Sequence, residues 1–176
     1  KRELFELGQA MRFPWAPVDS PRDALASPQL KARRFFVRAR LPGTLCTTTY
    51  AGLPYKFSAF SPPPPTPAPL LSEHTSRVPE LSGLRSKKGR IPTRRCVRRI
   101  RDGAILKGIR VVDLTRMLSG PFATRVLADF GAEVIKVQSV NTAQGAEQND
   151  TAPFSAWNRN KRGITLDLDH TQARRI

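Results

Sequence analysis

The chain has 176 residues, 39% of them hydrophobic, enough for one domain or two small ones, and no run approaches the roughly 20 apolar residues of a membrane-spanning helix. Its formal net charge of +16 invites a nucleic-acid partner. However, nine of the 30 basic residues fall in the run Arg85–Arg101, where no aromatic residue interleaves them, so that run reads as a solvated linker.

Taken in chain order, Lys1–Met11 carries Leu4, Phe5, Leu7, Ala10 and Met11 at helical spacing, mostly on one side. Neither an initiator methionine nor a signal-peptide pattern opens it, and the acidic residues Glu3, Glu6, Asp19 and Asp23 argue against a mitochondrial presequence. A turn region at Pro14–Pro17 follows. Ser20-Pro21 and Ser27-Pro28 each predict a helix start, because serine caps the free N–H groups and proline suits the first helical position. Phe35–Leu41 reads as a strand, with Thr44–Tyr50 as its partner across Pro42-Gly43. Pro62–Pro65, Pro67 and Pro69 exclude a helix or central strand and predict an extended surface connector or an SH3-type ligand.

Beyond the basic run, Arg110–Thr115 is a β-type segment and Ser119-Gly120-Pro121 opens a helix reaching about Phe130. Phe122, Val126 and Phe130, with Ala123 and Leu127, predict its apolar face, and Gly131 its stop. Glu133–Gln138 is the next strand. Strand, helix and strand in this span predict a right-handed, parallel, Rossmann-like βαβ unit.

The turn Arg116-Met117-Leu118-Ser119-Gly120 therefore lies where open α/β sheets receive ligands, at a strand's carboxyl end and a helix's amino end. From the residues alone it suits a plain structural turn with Arg116 solvated or, alternatively, a phosphate-bearing ligand. The spacing matches neither a dinucleotide fingerprint nor a Walker loop. Asp113 and Asp129 do not read as a catalytic pair, and Asp129, late in its helix, is expected in a surface or capping role. His74 has Glu73 beside it but no nucleophile elbow, and His170 reads as solvated. Cys46 and Cys96 stand apart, and with two histidines they make no zinc ligand set. Two unpaired thiols suit a reducing, cytoplasmic setting.

Leu106–Arg116, Ser119–Thr124 and Leu127–Val137, resumed at Trp157–Leu168 with its asparagine-lysine-arginine signature, resemble the opening of the family III CoA-transferases (the CaiB/BaiF family). Phe13–Val18, Ser20–Leu25 and Pro28–Arg33, then Gly52–Ser58 and Ala68–Thr75, resemble the same family's closing segment. The resemblance implies a carboxy-terminal segment over 1–84, a basic linker over 85–104 and the amino-terminal segment of a following unit over 105–176. A tandem fusion, a circular permutant or a misjoined gene would each give this order.

What the resemblance further implies is transfer of CoA between an acyl-CoA and a carboxylic acid. The reaction runs through a catalytic aspartate that forms a mixed anhydride and then an aspartyl-CoA thioester. That aspartate lies downstream of Ile176, so no catalytic residue is assigned here and the isolated chain is expected to be inactive. Racemisation of acyl-CoA thioesters is the family's other activity, and a basic nucleic-acid-binding or non-catalytic assembly module is the reading from a different class. The resemblance carries CoA contacts onto Arg116, Met117, Leu118, Ser119 and Leu166, with CoA thioester as substrate, no tightly bound cofactor and an interlocked homodimer for the full-length protein. Departures are Gln138-Ser139-Val140 after the second strand, Asp169 where a lysine is common, and Pro79 in the closing helix.

Overall fold

A computed structural model describes residues 1–78 and 104–175. The basic run, Cys96 and Pro79 lie outside the described residues. Contacts divide the chain into two compact units, Lys1–Phe36 and Val37–Ile176.

The first unit holds helices α1 (Arg2–Ala10), α2 (Pro21–Ala26) and α3 (Pro28–Ala32). Both serine-proline starts form as expected. The Ser20 hydroxyl accepts from the Asp23 N–H at 3.2 Å while the Asp23 carboxylate accepts from the Ser20 N–H at 3.0 Å, a reciprocal capping box. Those Ser20 hydrogen bonds hold the Asp23 carboxyl below its usual range. Ser27 caps α3 through the Leu30 N–H. In α1 the absent side chain of Gly8 admits the Trp15 ring, since a Cβ there would lie 2.6 Å from Trp15 Cε3. Leu4, Leu7 and Met11 remain exposed on this helix.

Strands β1 (Phe36–Arg40), which begins at the last residue of the first unit, and β2 (Thr47–Ala51) pair in a two-stranded sheet, its second strand starting later than the sequence suggests. The main sheet contains β3 (Arg110–Asp113), β4 (Glu133–Gln138) and β5 (Arg162–Thr165) in that order, all parallel. Helix α4 (Ser119–Asp129) crosses from β3 to β4, and α5 (Ala152–Asn158) lies between β4 and β5. This is an α/β architecture with the parallel βαβ unit the sequence predicts.

One sheet face packs Val134 and Val111 against Ala128 of α4 and Ala132. The other packs Ile135 and Ile164, with Val137 and Leu166, against Val78. The central strand β4 is covered on both faces and is apolar at Val134, Ile135 and Val137, whereas Val112 of β3 is 62% exposed. The buried face of α4 differs from the expected one. Pro121, Arg125, Ala128 and Asp129 point inward, whereas of the expected face Phe130 is buried, Val126 half-buried, and Phe122, Ala123 and Leu127 exposed. Arg125 and Asp129 are buried because both join an ion-pair cluster with Arg159, an interaction that apolar periodicity does not register.

Residues 66–78 cover the free edge of β5. The His74 N–H donates to the Gly163 carbonyl at 2.9 Å, and the Gly163 N–H donates to His74 Nδ1 at 3.2 Å. The Thr165 N–H donates to Thr75 Oγ1 at 2.9 Å. Asn160 and Thr66 exchange main-chain and side-chain bonds, and Asn149 Nδ2 donates to the Pro69 carbonyl at 2.9 Å. The proline segment is thus not wholly a surface connector, because Pro69 and Ala68 are buried against β5. His74 serves the backbone here, and the Glu73 carboxylate instead accepts from the Leu70 N–H. An open β5 edge would expose unpaired backbone groups for aggregation, and this segment occupies that edge.

Gly163 makes the contact possible, since a Cβ on it would lie 2.9 Å from both Cβ and Cγ of Pro69. Gly163→Ala is therefore expected to push residues 66–70 off the strand and to lower stability by about 1–3 kcal/mol in urea titration. An unchanged midpoint would contradict this docking.

Candidate functional site

Asp113 ends β3 and is fully buried, at 0% exposure. One carboxylate oxygen accepts from the Thr115 N–H at 2.9 Å and the Thr115 hydroxyl at 2.6 Å. The other accepts from the Thr124 hydroxyl and from Lys161 Nζ, each at 2.8 Å. Lys161 also donates to the Pro121 carbonyl, Thr124 Oγ1 and Asn158 Oδ1 at 2.8–3.0 Å. A buried ion pair is tolerable only when its remaining hydrogen-bonding capacity is filled in this way. Burial pushes the Lys161 ammonium down to about 8, against the opposing pull of Asp113. Burial alone would raise the Asp113 carboxyl, but Lys161, Thr115 and Thr124 together hold it below its usual range.

A second pair ties the signature segment to α4. Arg159 donates to both oxygens of Asp129, at 3.2 and 2.9 Å, and to the Ala51 carbonyl at 2.6 Å. Asp129 is thus buried, not on the surface as expected, because Arg159 reaches it from 30 residues away. Arg125 lies 3.5 Å from the same carboxylate and over the Phe122 ring. The asparagine-lysine-arginine signature, Asn160-Lys161-Arg162, therefore has structural contacts here: Asn160 donates to Asp129, Lys161 donates to Asp113, and Arg162 lies 3.1 Å from Glu133.

The turn after β3 closes tightly on its helix. A Cβ at Gly120 would lie 2.5 Å from Thr115 Cβ, so only glycine permits this approach. Met117 adopts φ +70°, a left-handed conformation that costs a residue with a Cβ about 1–2 kcal/mol. Its N–H donates to Glu147 Oε1 at 2.7 Å. One N–H of the expected anion-binding turn is therefore already held by a carboxylate of the protein.

A cleft of about 350 Å³ opens at the carboxyl ends of β3, β4 and β5. Arg116 and Leu166 both line it, with Lys136, Gln138, Glu147 and Asp169. The sequence-derived positions thus divide. Arg116 and Leu166 meet in one cleft, Met117 contributes its backbone to the cleft's Glu147 while its side chain is exposed, and Leu118 and Ser119 sit exposed at the start of α4. The buried pair Lys136–Glu147, 3.6 Å apart, was not legible from motif spacing. Its one signal is a lone lysine inside the apolar strand Val134-Ile135-Lys136-Val137. A larger cleft, about 750 Å³, lies at the opposite end of β5 beside Arg40, His74 and Arg162, and none of the sequence-derived contact residues lines it. Among the described residues, no group of three or more His, Cys, Asp or Glu side chains is placed to hold a metal ion, and no helix is long and apolar enough to cross a membrane.

A parallel α/β sheet with a ligand-sized cleft at its strand ends defines a broad class of small-molecule enzymes and binding domains. Within that class the family model for CoA-transferase family III matches residues 1–75 and 106–176, and the chain belongs to this family. Similar curated proteins include an acyl-CoA transferase of Fusarium pseudograminearum, 38% identical over 86 residues, covering 40% of this chain and 19% of the relative. The succinyl-CoA:glutarate CoA-transferase of Mus musculus is 38% identical over 78 residues, covering 40% of this chain and 18% of the relative. The formyl-CoA:oxalate CoA-transferase of Afipia carboxidovorans gives the same identity and coverage. The crystal structure of Rv3272 from M. tuberculosis is similar at 42% identity and TM-score 0.36, covering 40% of this chain and 19% of that one. The chain thus spans about a fifth of the length of the relatives it matches.

The Asp113–Lys161 pair gives a pH signature. The folded state releases the Lys161 proton near 8, while the unfolded chain keeps it to about 10.5. Between those values the unfolded state binds more protons, so this group makes stability rise with pH. Lys161→Met should cost about 3–5 kcal/mol at neutral pH by leaving Asp113 unpaired, and should abolish that rise. Urea midpoints between pH 7.5 and 10.5 check this. Parallel pH profiles for the variant and the parent would contradict it.

Proposed function

We propose that this chain is a junction piece of a CoA-transferase that moves CoA between an acyl-CoA and a carboxylic acid. Its cleft at the strand ends holds the CoA moiety. The observation that carries this reading is the meeting of Arg116 and Leu166 in that cleft. The resemblance alone assigned both residues to CoA, although 50 residues separate them in the chain. Residues 1–84 correspond to the closing segment of one unit and residues 105–176 to the opening segment of the next. The full-length protein assembles as an interlocked homodimer.

The chemistry is completed outside this chain. An aspartate further along the unit attacks the thioester carbonyl, releasing CoA and leaving the acyl group as a mixed anhydride. CoA then attacks the aspartyl carbonyl of that anhydride, releasing the first carboxylate and leaving an aspartyl-CoA thioester. The accepting carboxylate attacks the aspartyl thioester carbonyl, releasing CoA and forming a second mixed anhydride, and CoA then attacks the acceptor's carbonyl in that anhydride, giving the new acyl-CoA and the free aspartate. The part of Val37–Ile176 is to bind the CoA end and hold it while these steps proceed.

Arg116 is the cleft's cation for a phosphate group. Lys136 is engaged by Glu147, and the carboxylates of Asp167 and Asp169 on the rim oppose an anion. The chain is therefore expected to bind CoA by titration calorimetry, to lose affinity about 10-fold on Arg116→Ala, and to show no acyl transfer of its own. Absence of CoA binding would contradict the assignment of the cleft. Turnover by the isolated chain would contradict the placement of the aspartate outside it.

A further inference from the structure

The CoA turn has an unusual backbone and little side-chain packing to hold it. Met117 sits at φ +70° with its side chain 72% exposed, and Leu118 beside it is exposed as well. What fixes Met117 is a buried acid. Glu147, 6% exposed, accepts the Met117 N–H at 2.7 Å through Oε1, and its Oε2 lies 3.6 Å from Lys136 Nζ. Lys136, 1% exposed, also donates to the Thr115 carbonyl, so the pair grips the chain on both sides of Arg116. Gln138 Nε2 donates to the Glu147 carbonyl at 3.1 Å, and Asn149 Nδ2 bonds both Gln138 Oε1 and the Pro69 carbonyl, at 3.1 and 2.9 Å. The anchor is thus continuous with the segment that covers β5.

We infer that Glu147 is a positioning residue. Its carboxylate, held by Lys136, sets the left-handed turn at Met117 and thereby aims Arg116 into the cleft. The inference rests on the CoA reading of the cleft for its functional consequence, but its structural half stands on geometry alone. A carboxylate lining a cleft meant for an anion would repel the ligand if it carried a free charge. Lys136 neutralises it, and one of its oxygens is already committed to a backbone N–H, so it acts on the ligand only through the turn. The conformation of Met117 is unfavourable by itself, and a charge-assisted hydrogen bond in a buried site is a sufficient counterweight.

The test uses the whole 176-residue chain, with amide exchange followed by NMR and CoA binding followed by calorimetry. Lys136→Met/Glu147→Met removes both charges together, leaving no unpaired buried ion. It should keep exchange in β4, at Val134 and Ile135, close to the parent's. Met117 should exchange about 10-fold faster or more, and the CoA dissociation constant should rise by about 10-fold. Lys136→Met/Glu147→Gln keeps an acceptor beside Met117 and likewise leaves no unpaired buried ion, and should give an intermediate, roughly 3-fold acceleration at Met117. It also serves if the Met/Met variant does not fold.

Unchanged Met117 exchange in the folded variants overturns the inference. So does faster exchange with undiminished CoA affinity. A parent chain that binds no CoA sinks the CoA reading instead, while the Met117 exchange still decides whether Glu147 sets the turn.

Discussion

Lys161 Nζ reaches Asp113 at the end of β3 across a fully buried interval of 2.8 Å, and the surrounding elements are arranged about that contact. The same nitrogen binds the first two turns of α4 through Pro121 and Thr124 and the last turn of α5 through Asn158. One ammonium group therefore joins two helices to the strand whose carboxyl end carries the turn of residues 116–120. Its opposite number, Asp113, begins that turn by accepting both the N–H and the hydroxyl of Thr115. Without the ion pair, the turn would lose its first fixed point and the crossover helix its inner contact. Removing both partners would be far less damaging than removing one, because the cost lies in the uncompensated charge.

The second constraint is the cover of the sheet edge. Among the described residues the parallel sheet ends at β5, which presents N–H groups at Gly163 and Thr165 that must find acceptors. They find His74 Nδ1 and Thr75 Oγ1, side chains rather than another strand. The neighbouring Val78 closes the apolar face over Ile135 and Ile164. Residues matching the family in two separate stretches of the chain thus meet within the second unit, where His74 and Thr75 bond β5. Through Pro69, Asn149 and Gln138, the covering segment also reaches Glu147 behind the cleft.

Much of this was legible beforehand. Serine-proline caps and the strand–helix–strand order follow from local chemistry, and both helix starts and the parallel pairing appear as read. The inward face of α4 was misread because periodicity counts apolar residues. Arg125 and Asp129 are buried by Arg159, which lies in a different part of the chain. Asp129 looked like a surface residue for the same reason. In the site, Arg116 and Leu166 came from the family pattern, and their convergence is a property of the parallel register of β3, β4 and β5. Lys136 and Glu147 escaped notice because a buried pair between a strand and a short irregular turn leaves no fixed spacing in sequence. The edge-covering use of His74 escaped likewise, since its partner is a backbone group 89 residues away.

The most direct test of the account is hydrogen–deuterium exchange of the whole chain with and without CoA. The account predicts slowed exchange confined to the three strand ends, at residues 114–117, 137–142 and 166–169. Protection appearing instead around residues 40–45 and 73–77, at the opposite end of β5, or no protection anywhere, would contradict the placement of the ligand at the carboxyl ends of the sheet.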